Sequence, residues 1–216
     1  VQDAIQGYHW VNDQATLHPF SVYTTKGHVS YCVISDHMAH SSIAVHAFRT
    51  AVLEDLKAKH PEINEIIYFS DGAGSQYKNF KNLTNLLHHE SDYGIKASWN
   101  FFATSHGKNT CDGIGGTVKR LARRHSLQQV SSGHILTPAQ LYEWTVENIS
   151  GIKALFVSSS QVEAIAEGQK ERFDQSSKLN GVRECHRILV EGGALYGYRL
   201  SGDSDHVTQN APSAVN

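Results

Sequence analysis

Two aspartates, each followed directly by glycine, form the pattern in this sequence that is best suited to chemistry. Asp71 opens the run Asp-Gly-Ala-Gly-Ser-Gln, and Asp112 opens the run Asp-Gly-Ile-Gly-Gly. Each run follows a β-rich segment, so we expect the carboxylates to converge at the ends of neighbouring strands. Such a pair suits Mg²⁺, which takes oxygen ligands, and the glycines let a phosphodiester backbone come close. The alternative is two ordinary turns, because Asp-Gly is a common turn dipeptide.

The segment after Asp112 predicts a basic helix over residues 115–128. Its apolar residues recur at helical spacing, and its cations fall on the opposite side. Cations beside an acidic cluster suit a site where metal ions hold one phosphate and basic side chains hold its neighbours. The alternative is a solvated helix face, which is the commonest use of a charge run. The predicted nucleic-acid-binding cations of this helix are Lys119, Arg120, Arg123 and Arg124.

Three further polar residues stand close in sequence to the two aspartates. Lys78 follows Asp71, while His106 and Lys108 precede Asp112. We predict that they contact phosphate or orient water, and the alternative is that they are solvated loop residues. The histidines and cysteines lack the Cys-x-x-Cys or His-x-x-x-His core of a zinc site, so zinc is not expected.

Alternating strands and helices position these residues. Two β-rich runs joined by Lys26-Gly27 predict an antiparallel hairpin, and Thr137-Pro138 predicts the start of a later helix. This order predicts an α/β fold with a mixed sheet flanked by helices. The predicted strands are 14–25, 28–35, 63–69, 95–104 and 152–158, with an edge hairpin over 187–200, and the predicted helices are 43–59, 79–89, 115–128, 138–149 and 161–179.

Composition limits the class of protein. The chain has 216 residues, of which 40% are apolar, and no apolar run approaches the roughly 18–20 residues that span a bilayer. Three cysteines far apart do not make a disulfide framework, which favours a reducing, intracellular compartment. The net charge of −2 gives no overall attraction to nucleic acid, so basic character must be local.

Four sequence blocks resemble a known family. The order of elements is similar to that of the ribonuclease-H-like catalytic domains of DDE transposases and integrases, without the first strand. The residues are most similar to a group of transposon-derived animal proteins, over about residues 1–130 and more loosely over 131–190. The matching blocks are 6–10 (QGYHW), 69–79 (FSDGAGSQYKN), 101–108 (FFATSHGK) and 111–122 (CDGIGGTVKRLA).

The resemblance implies a site for two Mg²⁺ or Mn²⁺ ions that act on DNA phosphodiesters by cleavage or strand transfer. It makes Asp71 the second acidic ligand and Asp112 the ligand near the last core helix. The first carboxylate of the family lies on the first strand, which we place before Val1, and Asp3 does not fill that position well. Asp36 follows the strand over 28–35 and would be an accessory catalytic residue.

The resemblance also predicts organisation and partners. We expect a ribonuclease-H-like core over residues 1–130, a C-terminal α+β extension packed on it over 131–205, and a disordered tail over 206–216. The leading hypothesis is a transposase-derived nuclease, located in the nucleus, that acts on DNA and forms homo-oligomers. The alternative, supported by the missing first carboxylate, is a catalytically silent domesticated module that binds nucleic acid.

Overall fold

The computed structural model describes residues 14–102, 110–129, 133–176 and 180–210. Within these ranges the chain is mixed α/β, with seven α-helices and eight strands in two sheets. It divides into two compact units, each built from two stretches of chain. The first unit comprises Val1–Ala39 and Lys108–Val162, and the second comprises His40–Gly107 and Glu163–Asn216.

The first unit contains a three-stranded sheet in the order β1-β2-β5. Strand β1 (Thr16–Thr24) and strand β2 (Gly27–Ser35) form an antiparallel hairpin, and β5 (Ile152–Phe156) runs parallel to β2. Helices α4 (Thr110–Gln128) and α5 (Pro138–Asn148) belong to the same unit. The two helices pack on the sheet and bury an apolar core. The buried residues of this core are Cys32, Ile34, Ile114, Val118, Ile149 and Ala154.

The second unit contains a five-stranded sheet in the order β3-β4-β6-β7-β8. Its first two strands are parallel and the remaining pairs are antiparallel. Its strands are β3 (Glu65–Ser70), β4 (Lys96–Phe101), β6 (Arg187–Glu191), β7 (Ala194–Tyr198) and β8 (Thr208–Asn210). Its helices are α1 (Ser42–Lys59), α2 (Phe80–Leu87), α3 (His89–Tyr93) and α7 (Lys170–Asp174), with a 3-10 turn at Val182–Glu184. Helix α6 (Ser159–Gly168) begins in the first unit and ends in the second.

Local sequence explains where the helices begin. The Ser41 hydroxyl accepts a hydrogen bond from the Ala44 N–H, and Asn79 caps α2 in the same way. Thr137 and Gln140 form a capping box at α5, and Pro138 occupies the first turn, where its missing N–H costs nothing. The predicted hairpin and the predicted start of α5 are therefore confirmed.

Several predicted elements differ from the structure. The single predicted sheet is two sheets, because β2 pairs on one edge with β1 and on the other with β5, which leaves no edge for β3. The predicted helix over 161–179 is interrupted, and its described part forms α6 and α7. Strand β8 falls inside the predicted disordered tail, where its backbone pairs with β7.

The strand before Asp71 is present. Its apolar sequence predicts that it is buried, but the structure shows that it is not. It is the edge strand of its sheet, and its side chains alternate between exposed and half-buried. Ile67 and Phe69 are 55% and 61% exposed. Only one face of β3 packs on the core, since the alternation of a strand sends every second side chain to the other face.

Candidate nucleic-acid interface

Helix α4 is anchored along strand β1 by its inner side. The Tyr23 hydroxyl lies 3.2 Å from the Thr110 Oγ1 at the start of the helix. Further along, a Cβ on Gly115 would lie 3.9 Å from the Pro19 side chain, and Val118 is fully buried. The helix therefore runs from the turn of the hairpin towards the opposite end of the sheet, with one side fixed against it.

The outer side of α4 carries the predicted cations, and all four side chains are exposed. No described carboxylate forms an ion pair with any of them, although other cations of the chain, such as Lys59 and Arg172, are paired. Together with Gly116 and Leu127 they line one shallow groove. A Cβ on Gly116 would meet no atom within 4 Å, so the helix backbone there is open to an approaching group. The cations of this surface, named the α4 basic face, are Lys119, Arg120, Arg123 and Arg124.

Asp112 lies in the first turn of α4 rather than in the loop that we predict before the helix. An acidic side chain at this position interacts favourably with the positive end of the helix dipole. Asp112 is exposed, on the same side of the helix as Gly116 and Arg123 by its helical position.

Asp36 lies at the other end of the first unit. It follows β2, and its Oδ1 accepts a hydrogen bond from the backbone N–H of Ser159, the first residue of α6. The seven residue steps of β2 between His28, which pairs with Tyr23, and Ser35 correspond to about 23 Å. Because α4 begins beside Tyr23, Asp36 and Asp112 are too far apart to share one cation.

Asp71, in the second unit, forms a local turn. The Ala73 N–H donates to the Asp71 Oδ1 at 3.0 Å, and the carboxylate is otherwise exposed. Nearby, Lys78 Nζ donates to the Arg183 carbonyl at 2.9 Å and lies 5.0 Å from the Phe101 ring centre. Partial burial lowers the pKa of Lys78. The backbone at Asp71 thus forms the turn that Asp-Gly favours. The Lys78 ammonium is bound by the Arg183 carbonyl and packs near the Phe101 ring.

The predicted metal ligands do not form a set within either unit. Asp71 belongs to one unit, while Asp36 and Asp112 belong to the other and lie at opposite ends of β2. Across residues 14–102, 110–129, 133–176 and 180–210, no three His, Cys, Asp or Glu side chains are grouped to hold a metal ion. The site for two Mg²⁺ or Mn²⁺ ions stays a prediction. The predicted phosphate-contacting residues His106 and Lys108 lie outside the described residues.

A buried cation in the second unit is not predicted from the sequence. Arg49 is 1% exposed, and its guanidinium lies 5.1 Å from the Tyr68 ring centre and 5.4 Å from that of Trp99. Its Nη2 donates to His46 Nδ1 at 2.9 Å, while Nε and Nη1 have no hydrogen-bond partner among the described residues. The guanidinium therefore lies against two aromatic rings instead of a carboxylate among the described residues. The signal in the sequence was its helical position, because Arg49 falls on the same side of α1 as Val45, Val52 and Leu56.

Two histidines complete this buried polar network. Burial and the charge of Arg49 lower the pKa of His46 to about 3, and its Nε2 lies 2.7 Å from the Gln169 side-chain amide. Burial also lowers the pKa of His89 to about 4, although its Nδ1 hydrogen bond to the Ile95 carbonyl opposes the shift. Both rings are therefore neutral at pH 7.

A ring pair at the start of α4 is also missed by reasoning on sequence. Tyr23 and His28 face each other across the hairpin, with ring centres 4.5 Å apart and planes inclined by 28°. Hydrogen bonds with Ser21 and Thr110 lower the pKa of Tyr23. The signal was present, because the hairpin register around Lys26-Gly27 pairs these two positions.

Comparison with known proteins identifies a family for this chain but no named relative. In its described part, no helix is long and apolar enough to cross a membrane. No curated protein and no solved structure matches the sequence. A family described as "Domain of unknown function (DUF8701)" matches residues 1–196, and the chain belongs to that family.

Proposed function

We propose that this protein is a nucleic-acid-binding domain that contacts the phosphate backbone through the α4 basic face. The observation that carries the proposal is the exposure of four cations on one helix without a carboxylate partner in the described structure. A surface with this charge attracts polyanions by releasing the counterions condensed on them. The chain as a whole has a net charge of −2, so the attraction comes from this helix and not from the average charge.

The spacing of the four cations also supports a ligand. Lys119 and Arg123, and likewise Arg120 and Arg124, are four residues apart and so are neighbours on the helix surface. Like charges at this spacing destabilise a helix by a few tenths of a kcal/mol per pair. A bound phosphate between them would replace the repulsion with attraction. The ligand class is therefore a polyanion with regularly spaced charges, and we propose DNA.

Metal-dependent phosphodiester cleavage is a second candidate function. It is favoured by the position of Asp71, which directly follows β3 where β3 runs parallel to β4, as a ribonuclease-H-like fold requires. We propose that fold for the family on this pairing and on the helix that joins β2 to β3. The activity would need Mg²⁺ or Mn²⁺ held by Asp71 together with further carboxylates. A nuclear location and homo-oligomers belong to this same proposal.

The binding proposal is tested by titrating a fluorescein-labelled 20-base-pair DNA duplex with the full chain and measuring anisotropy at several salt concentrations. Changing all four cations of the α4 basic face to glutamine should weaken binding by at least 100-fold at low salt and flatten the dependence on salt. The matched control neutralises four exposed cations of the second unit: Lys59, Lys96, Lys170 and Arg199. Equal losses in both variants, or no binding of nucleic acid by the wild type, would refute the proposal.

The cleavage candidate has its own test. A supercoiled plasmid is incubated with the protein and Mg²⁺ or Mn²⁺, and nicked product is followed on a gel. Asp71→Asn should abolish nicking and leave the melting temperature within a few degrees, because the side chain is exposed. Nicking that survives Asp71→Asn would show a contaminating nuclease or a different site. The duplex-binding titration of the same variant separates loss of chemistry from loss of binding.

A further inference from the structure

The ring pair of Tyr23 and His28 has an open face. His28 covers one face of the Tyr23 ring at 4.5 Å, yet 69% of the tyrosine remains accessible to solvent. Burying a large apolar side chain contributes about 1.5–3 kcal/mol, so a ligand that covers the open face of the ring would gain part of that free energy.

Both rings are held in place by hydrogen bonds. The Tyr23 hydroxyl lies 3.2 Å from Thr110 Oγ1 on α4, and Ser21 Oγ lies 2.7 Å from His28 Nε2. A ring that is already oriented loses little conformational entropy when a flat ligand stacks on it. The geometry is thus that of a rigid platform with one side protected by His28 and the other side open.

The platform lies at the start of the helix that carries the α4 basic face. Lys119 lies nine residue steps after Thr110 along the helix and Arg124 lies fourteen, which correspond to about 13 and 21 Å along the axis. At about 3.4 Å per stacked nucleotide, these distances match a strand of four to six nucleotides. A single strand that follows the cations on the outer side of α4 and continues past Thr110 at the N-terminal end of the helix would bring a base to Tyr23.

We infer that the open face of Tyr23 stacks with an unpaired base, so that the preferred ligand is single-stranded nucleic acid. Bases within a duplex are already stacked on both sides and offer no free face, while an unpaired base does. This inference rests on the proposed function, because the α4 basic face supplies the attraction for the backbone. It adds that the preferred nucleic acid is single-stranded and that Tyr23 is the residue that distinguishes single strands from duplexes.

The test compares three fluorescein-labelled ligands of equal length in anisotropy titrations: a thymidine 12-mer, a 12-mer of abasic sites and a duplex of 12 base pairs. The two single strands carry the same phosphates and differ only in the bases. The wild type should bind the thymidine strand at least fivefold more tightly than the abasic strand, the lower end of what one stacked base contributes. Tyr23→Ala should remove that difference and leave affinity for the abasic strand unchanged.

Two variants keep the test decisive. Tyr23→Phe preserves the ring but loses the hydroxyl, so it should retain most of the preference for bases and shows whether the site still folds. Phe69→Ala removes a ring of similar exposure from the second unit and should leave all three affinities unchanged. If Tyr23→Ala binds both single strands as the wild type does, the inference is overturned while the proposed function stands. If the glutamine variant of the α4 basic face binds as the wild type does, the proposed function itself fails.

Discussion

Three arginines of helix α4 and two arginines of the second unit, Arg49 and Arg172, have opposite environments. Arg120, Arg123 and Arg124 are exposed and have no carboxylate partner in the described structure. Arg49 is buried against the Tyr68 and Trp99 rings, whose centres lie 4.8 Å apart, and Arg172 forms a two-point ion pair with Asp92 at 2.7 and 2.8 Å. The difference separates two uses of one residue type. A paired or buried arginine stabilises the fold, whereas an exposed and unpaired one is available to a ligand.

The two environments also carry different unfavourable free energies, one from desolvation and one from charge repulsion. Arg49 must lose its hydration without an ion pair to any described carboxylate, and the rings of Tyr68 and Trp99 offset part of that loss. The α4 basic face keeps its hydration but has repelling neighbours at helical spacing. Substitutions in the second unit should therefore change stability, and substitutions on α4 should change binding.

The largest expected effect is acid destabilisation of the second unit. Among the described residues, the two buried histidines, His46 and His89, both belong to it. Their folded pKa values of about 3 and 4 lie below the ordinary 6.5, so the unfolded chain binds more protons as the pH falls. Stability is full above pH 6.5 and should drop by about 4 kcal/mol between pH 7 and pH 5, measured by urea unfolding.

The control for the acid effect is a histidine of the first unit. His46→Gln should remove about half of the pH dependence, while His125→Gln, on the partly exposed side of α4, should leave it unchanged. Equal pH dependence in all three proteins would contradict the assignment of acid sensitivity to the buried network.

The second effect is the loss of the buried guanidinium. Arg49→Ala should destabilise the protein by about 3 kcal/mol, because it leaves a cavity under two rings and removes the partner of His46. Arg49→Met fills the same space without a charge and should cost less than half as much. Urea unfolding at pH 7 measures both variants. A methionine variant as unstable as the alanine variant would show that the cation itself, not its volume, stabilises the core.

A smaller effect is expected at the ion pair of Arg172 and Asp92. Both side chains are about a quarter exposed, at 25% and 24%, so solvent weakens the attraction. The pair joins α7 to α3, and its two-point geometry favours the upper part of the range for surface pairs, about 1 kcal/mol. A double-mutant cycle with Arg172→Ala and Asp92→Ala measures the coupling free energy. A coupling free energy near zero would show that the ion pair contributes nothing to stability.

The smallest effect on stability is expected on α4. Arg123→Ala should change the free energy of unfolding by less than about 0.5 kcal/mol, because the side chain is exposed and unpaired. The same variant should reduce the slope of log affinity against log salt by about one for duplex DNA. A large loss of stability here would remove the contrast between the two kinds of arginine. An unchanged salt slope would exclude Arg123 from the ligand contacts.

Much of the local structure could be predicted from the sequence. The hairpin follows from two β-rich runs around Lys26-Gly27, and the start of α5 follows from Thr137-Pro138, since both depend on residues next to each other in the chain. The basic side of α4 follows from helical spacing in the same way. The exposure of β3 and the division into two sheets could not be predicted, because they depend on which distant strand occupies each edge.

Short-range periodicity is enough to show that Asp71 follows a strand, that a basic helix comes close after Asp112 in the chain, and that four cations share one side of that helix. The pairing of distant segments establishes that Asp36 and Asp112 lie at opposite ends of β2, that Arg49 packs against Tyr68 and Trp99, and that the Tyr23 hydroxyl lies beside Thr110. Such relations arise from the pairing and packing of segments far apart in the chain, and no local pattern of residue types encodes them.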